Sequence, residues 1–131
     1  MIRLFASDQK ELEKRKRGHA ETYVSTRPRI LIFASGNVVH NLAKIDWRMD
    51  GGHPWAVEFD DYIKEKVKTR QYDDVVHYEQ AGQSAKLAFF TPEHFYPLLY
   101  ILGASREDDR LKVFSDSCTL GSLSMTCYLF A

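Results

Sequence analysis

Two histidines stand in matching surroundings and are the first candidates for chemistry in this chain. His40 lies in Ser35-Gly36-Asn37-Val38-Val39-His40-Asn41-Leu42, directly after the apolar run Ile30-Leu31-Ile32-Phe33-Ala34. His94 lies in Phe89-Phe90-Thr91-Pro92-Glu93-His94. Both settings read as a buried strand turning through a tight corner into a helix, and in open α/β sheets ligands bind just beyond such strand ends. With Asn37 and Thr91 as helix caps, each histidine takes the third helical position, near the positive end of the helix dipole. That field keeps an imidazole neutral, the form needed by a metal ligand or a general base. A histidine in a first helical turn is equally a hydrogen-bonded structural residue, and the residues alone leave both roles open.

The other reactive side chains carry less. His53 sits in the loop Gly51-Gly52-His53-Pro54, read as exposed and able to close over a site. His77 reads as a surface strand or turn residue, and His19 belongs to a basic amino-terminal stretch. No two histidines have the i, i+4 spacing of a helical metal motif, and no Cys-x-x-Cys is present. Ser35-Gly36 lacks the Gly-x-Ser-x-Gly setting of a nucleophile elbow, and Gly36 alone is no dinucleotide fingerprint. Glu93 reads as a complement to its helix dipole, and Cys118 and Cys127 as core or strand residues.

The elements that must hold the two histidines follow an α/β pattern from residue 29 onward. Arg29–Ala34 and Lys86–Phe90 are expected as strands buried on both faces, and Val38–Ile45 as a short helix. In Trp55–Lys68, Trp55, Phe59, Ile63 and Val67 recur every four residues opposite Glu58, Lys64, Glu65 and Lys68, an amphipathic helix. Tyr72–Gln83 reads as irregular and acidic. Pro92–Leu102 is expected as a helix closed by Gly103. Leu111–Phe114 is a candidate strand. In Ser122–Phe130, Leu123, Met125, Cys127 and Leu129 point one way and Ser122, Ser124 and Thr126 the other, as in a half-buried antiparallel strand. Strands buried on both faces need helices on both sides, and too few are available, so exposed apolar surface and association are expected.

The bulk properties narrow the class. A chain of 131 residues, 44% hydrophobic and 27% charged, is one ordinary globular domain. Lys+Arg and Asp+Glu are equal at 18 each, so no net field points to nucleic acid or to an anionic membrane. No apolar run approaches the ~20 residues that span a bilayer. Two cysteines fit a reduced, cytoplasmic protein rather than a disulfide framework. Residues 8–21 are rich in Lys, Arg and Glu with little apolar face, so 1–27 reads as a basic lead segment, helical or disordered, ahead of a domain at 28–131.

Three ordered motifs add a resemblance. Ser-Gly-Asn-Val-Val-His-Asn-Leu (35–42), Thr-Pro-Glu-His-Phe-Tyr-Pro-Leu-Leu-Tyr (91–100) and Gly-Ser-Leu-Ser-Met (121–125) resemble the carboxyl-terminal half of class III extradiol ring-cleavage dioxygenases, in the 4,5-DOPA dioxygenase branch. The helix start Trp55–Phe59 and the helix end Leu102-Gly103-Ala104 fit it too. The resemblance implies a partial version of that mixed-sheet α/β fold and a non-haem metal, iron(II) with zinc often in its place. It also implies insertion of both atoms of O2 into a catechol. His40 falls on the family's acid–base histidine, which is sometimes given as a ligand, and His94 on a histidine of the metal site. Family members are longer and carry further histidine ligands in an amino-terminal half that residues 1–28 do not reproduce. The chain would thus hold part of a site, either as a fragment or disrupted gene product or as a part completed by a second copy or a complementing chain. The alternative is a non-catalytic binding or assembly module of the same fold.

Overall fold

A computed structural model describes residues 2–4 and 31–131. The basic segment 8–21, His19 and the 27/28 boundary lie outside the described residues.

Helix α1, Pro54–Lys68, organises the fold. Pro54 opens it at a position whose N–H has no helical partner to lose. Phe59, Ile63 and Val67 are buried along one face, as the four-residue spacing predicts, with Ala56 and Asp60 buried beside them and Trp55 half-buried. Lys66 and Lys68 favour its negative end, and Arg70 follows with φ 57°. The Arg70 guanidinium then donates to the carbonyls of Arg106 (2.8 Å) and Asp109 (2.5 Å), tying this end to the loop before the later strands. Helices α2 (Tyr72–Val76) and α3 (Gln83–Ala88) flank a 3-10 turn at Tyr78–Ala81, and α3 packs on α1. A 3-10 turn at Pro92–His94 leads into α4, Tyr96–Ala104.

The strands are short: β1 (Ile2–Leu4), β2 (Phe33–Ala34), β3 (Leu111–Phe114), β4 (Cys118–Thr119), β5 (Leu123–Ser124) and β6 (Cys127–Phe130). Four form a mixed sheet in the order β2-β1-β6-β3, with β1 parallel to β6 and the other two pairings antiparallel. β4 and β5 make a separate antiparallel pair beside α1. The mixed sheet with packed helices agrees with the α/β expectation. Phe59, Phe89, Phe95 and half-buried Tyr78 meet as edge-on or tilted rings, with centroids 5.1–6.3 Å apart. Val38, Val39, Leu98, Ile101, Tyr128 and Phe130 extend this core.

Several expected elements are corrected. Of the first run, only Phe33–Ala34 is strand, and Leu31 and Phe33 are 52% and 50% exposed. This strand is the outer member of its sheet and is not covered on both faces. Val38–Ile45 is not a helix: His40 bridges both Phe89 and Leu123, and only Leu42–Lys44 turns, as 3-10. The β-branched pair Val38-Val39 suits an extended, buried path. Lys86–Phe90 is not a strand either. Gln83–Ala88 is helical, with Ser84, Ala85 and Ala88 buried, and only Phe89 is extended (φ −156°, ψ 159°). Strong helix formers at 83–88 outweigh the apolar run. The helix expected over Pro92–Leu102 restarts at Tyr96, because Pro97 has no N–H and fits only a first turn. Ser105, not Gly103, closes it, donating its N–H to Ile101 and Leu102 and its hydroxyl to Leu102. The single strand expected over 122–130 is two, β5 and β6, in separate sheets. The alternation holds only to Thr126 and with reversed polarity: Ser122, Ser124 and Thr126 are buried while Met125 is 44% exposed, and Cys127 and Tyr128 are both buried.

Candidate functional site

The two candidate histidines meet. The imidazoles of His40 and His94 stack with centroids 3.8 Å apart and planes 11° from parallel, and both are half-buried. Each is delivered by a different route. His40 sits in an extended segment threaded between two others. Its N–H donates to Ala88 O (2.8 Å), Asn41 N–H donates to Ser122 O (3.2 Å), and Ser124 N–H donates to Val39 O (3.0 Å). Buried Asn41 adds a side-chain bond to Leu87 O (2.7 Å), and Ser122 Oγ donates to Asn41 O (2.8 Å). His94 closes the 3-10 turn that Thr91 opens in extended conformation with Pro92 at its first position.

Gly36 is what lets the two segments touch. Asn37 N–H donates to His94 O at 2.9 Å, and a Cβ on Gly36 would lie 2.1 Å from that same oxygen. The close approach requires a residue without a side chain at position 36. Burial holds the His40 pKa below the ordinary histidine value, the His94 ring lowers it further, and Glu93 opposes both. This direction favours the neutral ring anticipated for His40, but desolvation and a stacked imidazole are its causes rather than a helix dipole. Exposed Glu93 has its own carboxyl held below the usual range, first by the Thr91 hydroxyl and then by its own backbone N–H.

The other described histidines, His53 and His77, do not join the pair. His53 is half-buried, not exposed: it lies over Gly121, whose added Cβ would stand 2.7 Å from its Nε2, and stacks on Trp55 at 5.9 Å. His77 is an exposed turn residue with Nδ1 2.8 Å from Asp73 O. Cys118 is half-buried and Cys127 buried, both as free thiols, and burial pushes the Cys118 thiol up to about 12.

Comparison with known proteins shows the family. No protein-family model matches the chain. A 4,5-DOPA dioxygenase extradiol of Escherichia coli K12 is 38% identical over 101 residues, covering 73% of this chain and 36% of that protein. Enzymes of the same name from Beta vulgaris and Portulaca grandiflora are 34% and 33% identical, each covering 77% of this chain and 38% of the relative. The chain is a relative of the 4,5-DOPA extradiol dioxygenases. It spans little more than a third of the length of these relatives. The crystal structure of uncharacterized protein JW3007 from E. coli K12 shares the fold, with a TM-score of 0.62 and 37% identity, covering 70% of this chain and 39% of that one.

For a dioxygenase relative a metal cofactor is the general expectation, and the stacked pair tests it. An imidazole holds a metal on its nitrogen lone pair, in the ring plane, at about 2.0–2.1 Å. Two nearly parallel planes do not converge on one such point, so His40 and His94 as stacked cannot share an ion. Among the described residues no group of three or more His, Cys, Asp or Glu could hold a metal. These residues do not compose a metal centre by themselves.

Sequence reasoning passed over one group beside this site. Asp60 is 3% exposed on α1, and it accepts hydrogen bonds from Ser124 Oγ (2.5 Å) and Thr126 Oγ1 (2.7 Å). Its position beside Phe59 and between Ala56 and Ile63 on the buried face was the available signal. Burial raises its pKa, while the two hydroxyls and Lys64 oppose the rise and Asp116 adds to it. Lys64 itself is committed to Asp61 (2.7 Å) and Asp116 (2.5 Å). A raised folded pKa means that, above about pH 4, the folded state holds a proton the unfolded chain has released. Stability therefore falls as pH rises from the ordinary carboxylate range through the raised value. Denaturant titrations across a pH series should show this decline in the native chain and a flatter profile in Asp60→Asn. Equal slopes in both proteins would remove Asp60 as its source.

Proposed function

We propose that this chain forms the proton-accepting part of an extradiol ring-cleavage site for a catechol-type small molecule and O2. The His40–His94 stack carries this reading, because it joins at one half-open surface the two histidine motifs on which the resemblance rests. Ring opening needs a catechol hydroxyl to lose its proton before both oxygen atoms enter the product. A neutral imidazole at His40 is a suitable acceptor, since general bases act best when unprotonated at the working pH. His94 is the metal-type donor of this reading, for iron(II) or for zinc in its place, with the remaining ligands supplied from outside the described residues by a second copy or a complementing chain. A second reading, a non-catalytic binding or assembly module, is favoured because no group of three or more His, Cys, Asp or Glu among the described residues could hold a metal.

One experiment separates the readings. The full chain is titrated anaerobically with iron(II), then given DOPA and O2, with oxygen uptake and the yellow ring-opened product followed. In parallel, the two imidazole rings are watched by NMR as DOPA is added. Turnover together with ring perturbation is the expected result, and His40→Ala should then lower turnover by about 10²–10⁴-fold. Ring perturbation without turnover selects the binding module, and neither signal overturns both. Turnover retained in His40→Ala refutes its acid–base role.

A further inference from the structure

A carboxylate buried away from solvent with no cation bonded to it is an expensive feature, justified when its geometry specifies something. Asp60 projects from the middle of α1, the longest helix among the described residues, onto β5. Its two oxygens are each bonded by a different hydroxyl, Oδ1 by Ser124 and Oδ2 by Thr126, while nearby Lys64 is taken by Asp61 and Asp116. The backbone of Ser124 continues the connection. Its N–H donates to Val39 O at 3.0 Å, and its carbonyl accepts from Asn37 Nδ2 at 2.6 Å. Asn37 in turn donates its backbone N–H to His94 O at 2.9 Å. One chain of hydrogen bonds thus runs from the rigid helix to the residue before His40 and to the carbonyl of His94.

We propose that Asp60 is a positioning residue for the His40–His94 pair, acting through Ser124. The inference rests on the reading of that pair as the site. Register is what the carboxylate fixes. A one-residue slip of β5 would bring Leu123 or Met125 to the carboxylate in place of a hydroxyl, leaving a buried charge without donors. The same slip would carry the Val39 and Asn37 contacts, and with them both imidazoles, out of place. Thr126 shares the carboxylate but not this route: its N–H turns back to Ser124 Oγ at 3.2 Å, and its strand neighbours lead into the sheet. The Ser124 arm therefore positions the histidines, whereas the Thr126 arm only anchors the chain.

That difference is the test, and it needs neither metal nor substrate. Ser124→Ala and Thr126→Val each remove one hydroxyl from the same carboxylate. Amide hydrogen exchange of His40 and Asn41 is measured in each full-length variant and normalised to Ile63 in the core. Ser124→Ala removes both the bond to Asp60 and the acceptor of Thr126 N–H. It should therefore speed both amides by more than the roughly tenfold expected for one lost hydrogen bond, and should weaken the NOEs between the two imidazole rings. Thr126→Val should leave the normalised rates and the NOEs unchanged. Asp60→Asn, which keeps one acceptor oxygen and the side-chain shape, should fall between native and Ser124→Ala. Equal effects of Ser124→Ala and Thr126→Val, or no effect of Ser124→Ala, overturn the assignment. If the chain turns DOPA over, Ser124→Ala should lower kcat with KM kept. If it does not, the site reading fails while the exchange result still decides whether Asp60 positions the pair.

Discussion

Gly36→Ala should destabilise this protein by about 3 kcal/mol or more, at or beyond the upper end of ordinary overpacking. The expected loss is steric and not conformational, because Gly36 is not among the glycines with positive φ. An added Cβ would meet the His94 carbonyl oxygen at 2.1 Å, its carbon at 3.1 Å and Pro97 Cγ at 3.2 Å. Two of these are backbone atoms and the third belongs to a ring in the first turn of α4, so no flexible side-chain end can move aside. Relief requires the 36–41 segment to part from the His94 turn, which breaks the Asn37 N–H to His94 O bond and unstacks the imidazoles. Gly103→Ala is the matched control. Its Cβ would meet nothing within 4 Å, and it lies inside α4, where alanine is preferred by up to about 1 kcal/mol. Denaturant midpoints for the two variants should therefore move in opposite directions, and an unmoved midpoint in Gly36→Ala would refute the close-approach argument.

The fate of that glycine corner also shows what the sequence could and could not convey. The pairing of His40 with His94 was legible, because both stand in similar local contexts after apolar runs. The way they are brought together was not. Sequence patterning treats both corners as strand-to-helix junctions, yet His40 lies in an extended bridge between Phe89 and Leu123. Such a bridge is a long-range fact: its partners are set by tertiary contacts that no window around residue 40 contains. Residues 86–90 fail for the opposite reason. There the local helix preference of Gln83–Ala88 was strong, and a short apolar run hid it, since a buried strand and a buried helix segment look alike over five residues. The long period-four pattern of α1 survived because four repeats fix a face. The reversed faces of 122–126 are the most instructive case. Alternation gave the period correctly, but hydrophobicity gave the wrong inside, because the polar face is matched to a buried carboxylate on another element. Burial of Ser122, Ser124 and Thr126 becomes intelligible only once Asp60 and Asn41 are seen to receive their hydroxyl protons.

Phe59→Ala should cost about 3–5 kcal/mol, a large share of the 5–15 kcal/mol that typically holds a domain together. Phe59 is fully buried, and its ring meets Tyr78, Phe89 and Phe95 at centroid distances of 6.3, 5.9 and 6.1 Å. Truncation removes the transferred area of the ring and leaves a cavity whose walls come from three separate elements, so collapse cannot be complete. Two of those walls also support the site. Phe89 follows Ala88, whose carbonyl holds the His40 N–H, and Phe95 follows His94 directly. The cavity should therefore reach the imidazole pair as well as the stability of the whole. Phe59→Leu, which refills much of the space, should recover more than half of the loss. Phe90→Ala sets the baseline: that ring is 92% exposed one residue beyond Phe89, and its removal should stay within about 0.5 kcal/mol. Calorimetry on the three variants, with ring-to-ring NOEs between His40 and His94, checks both levels. Stability lost with the NOEs intact would show that the aromatic core and the histidine pair are uncoupled. Loss of both, with recovery of both in Phe59→Leu, would establish that the core of α1 sets the geometry of the site.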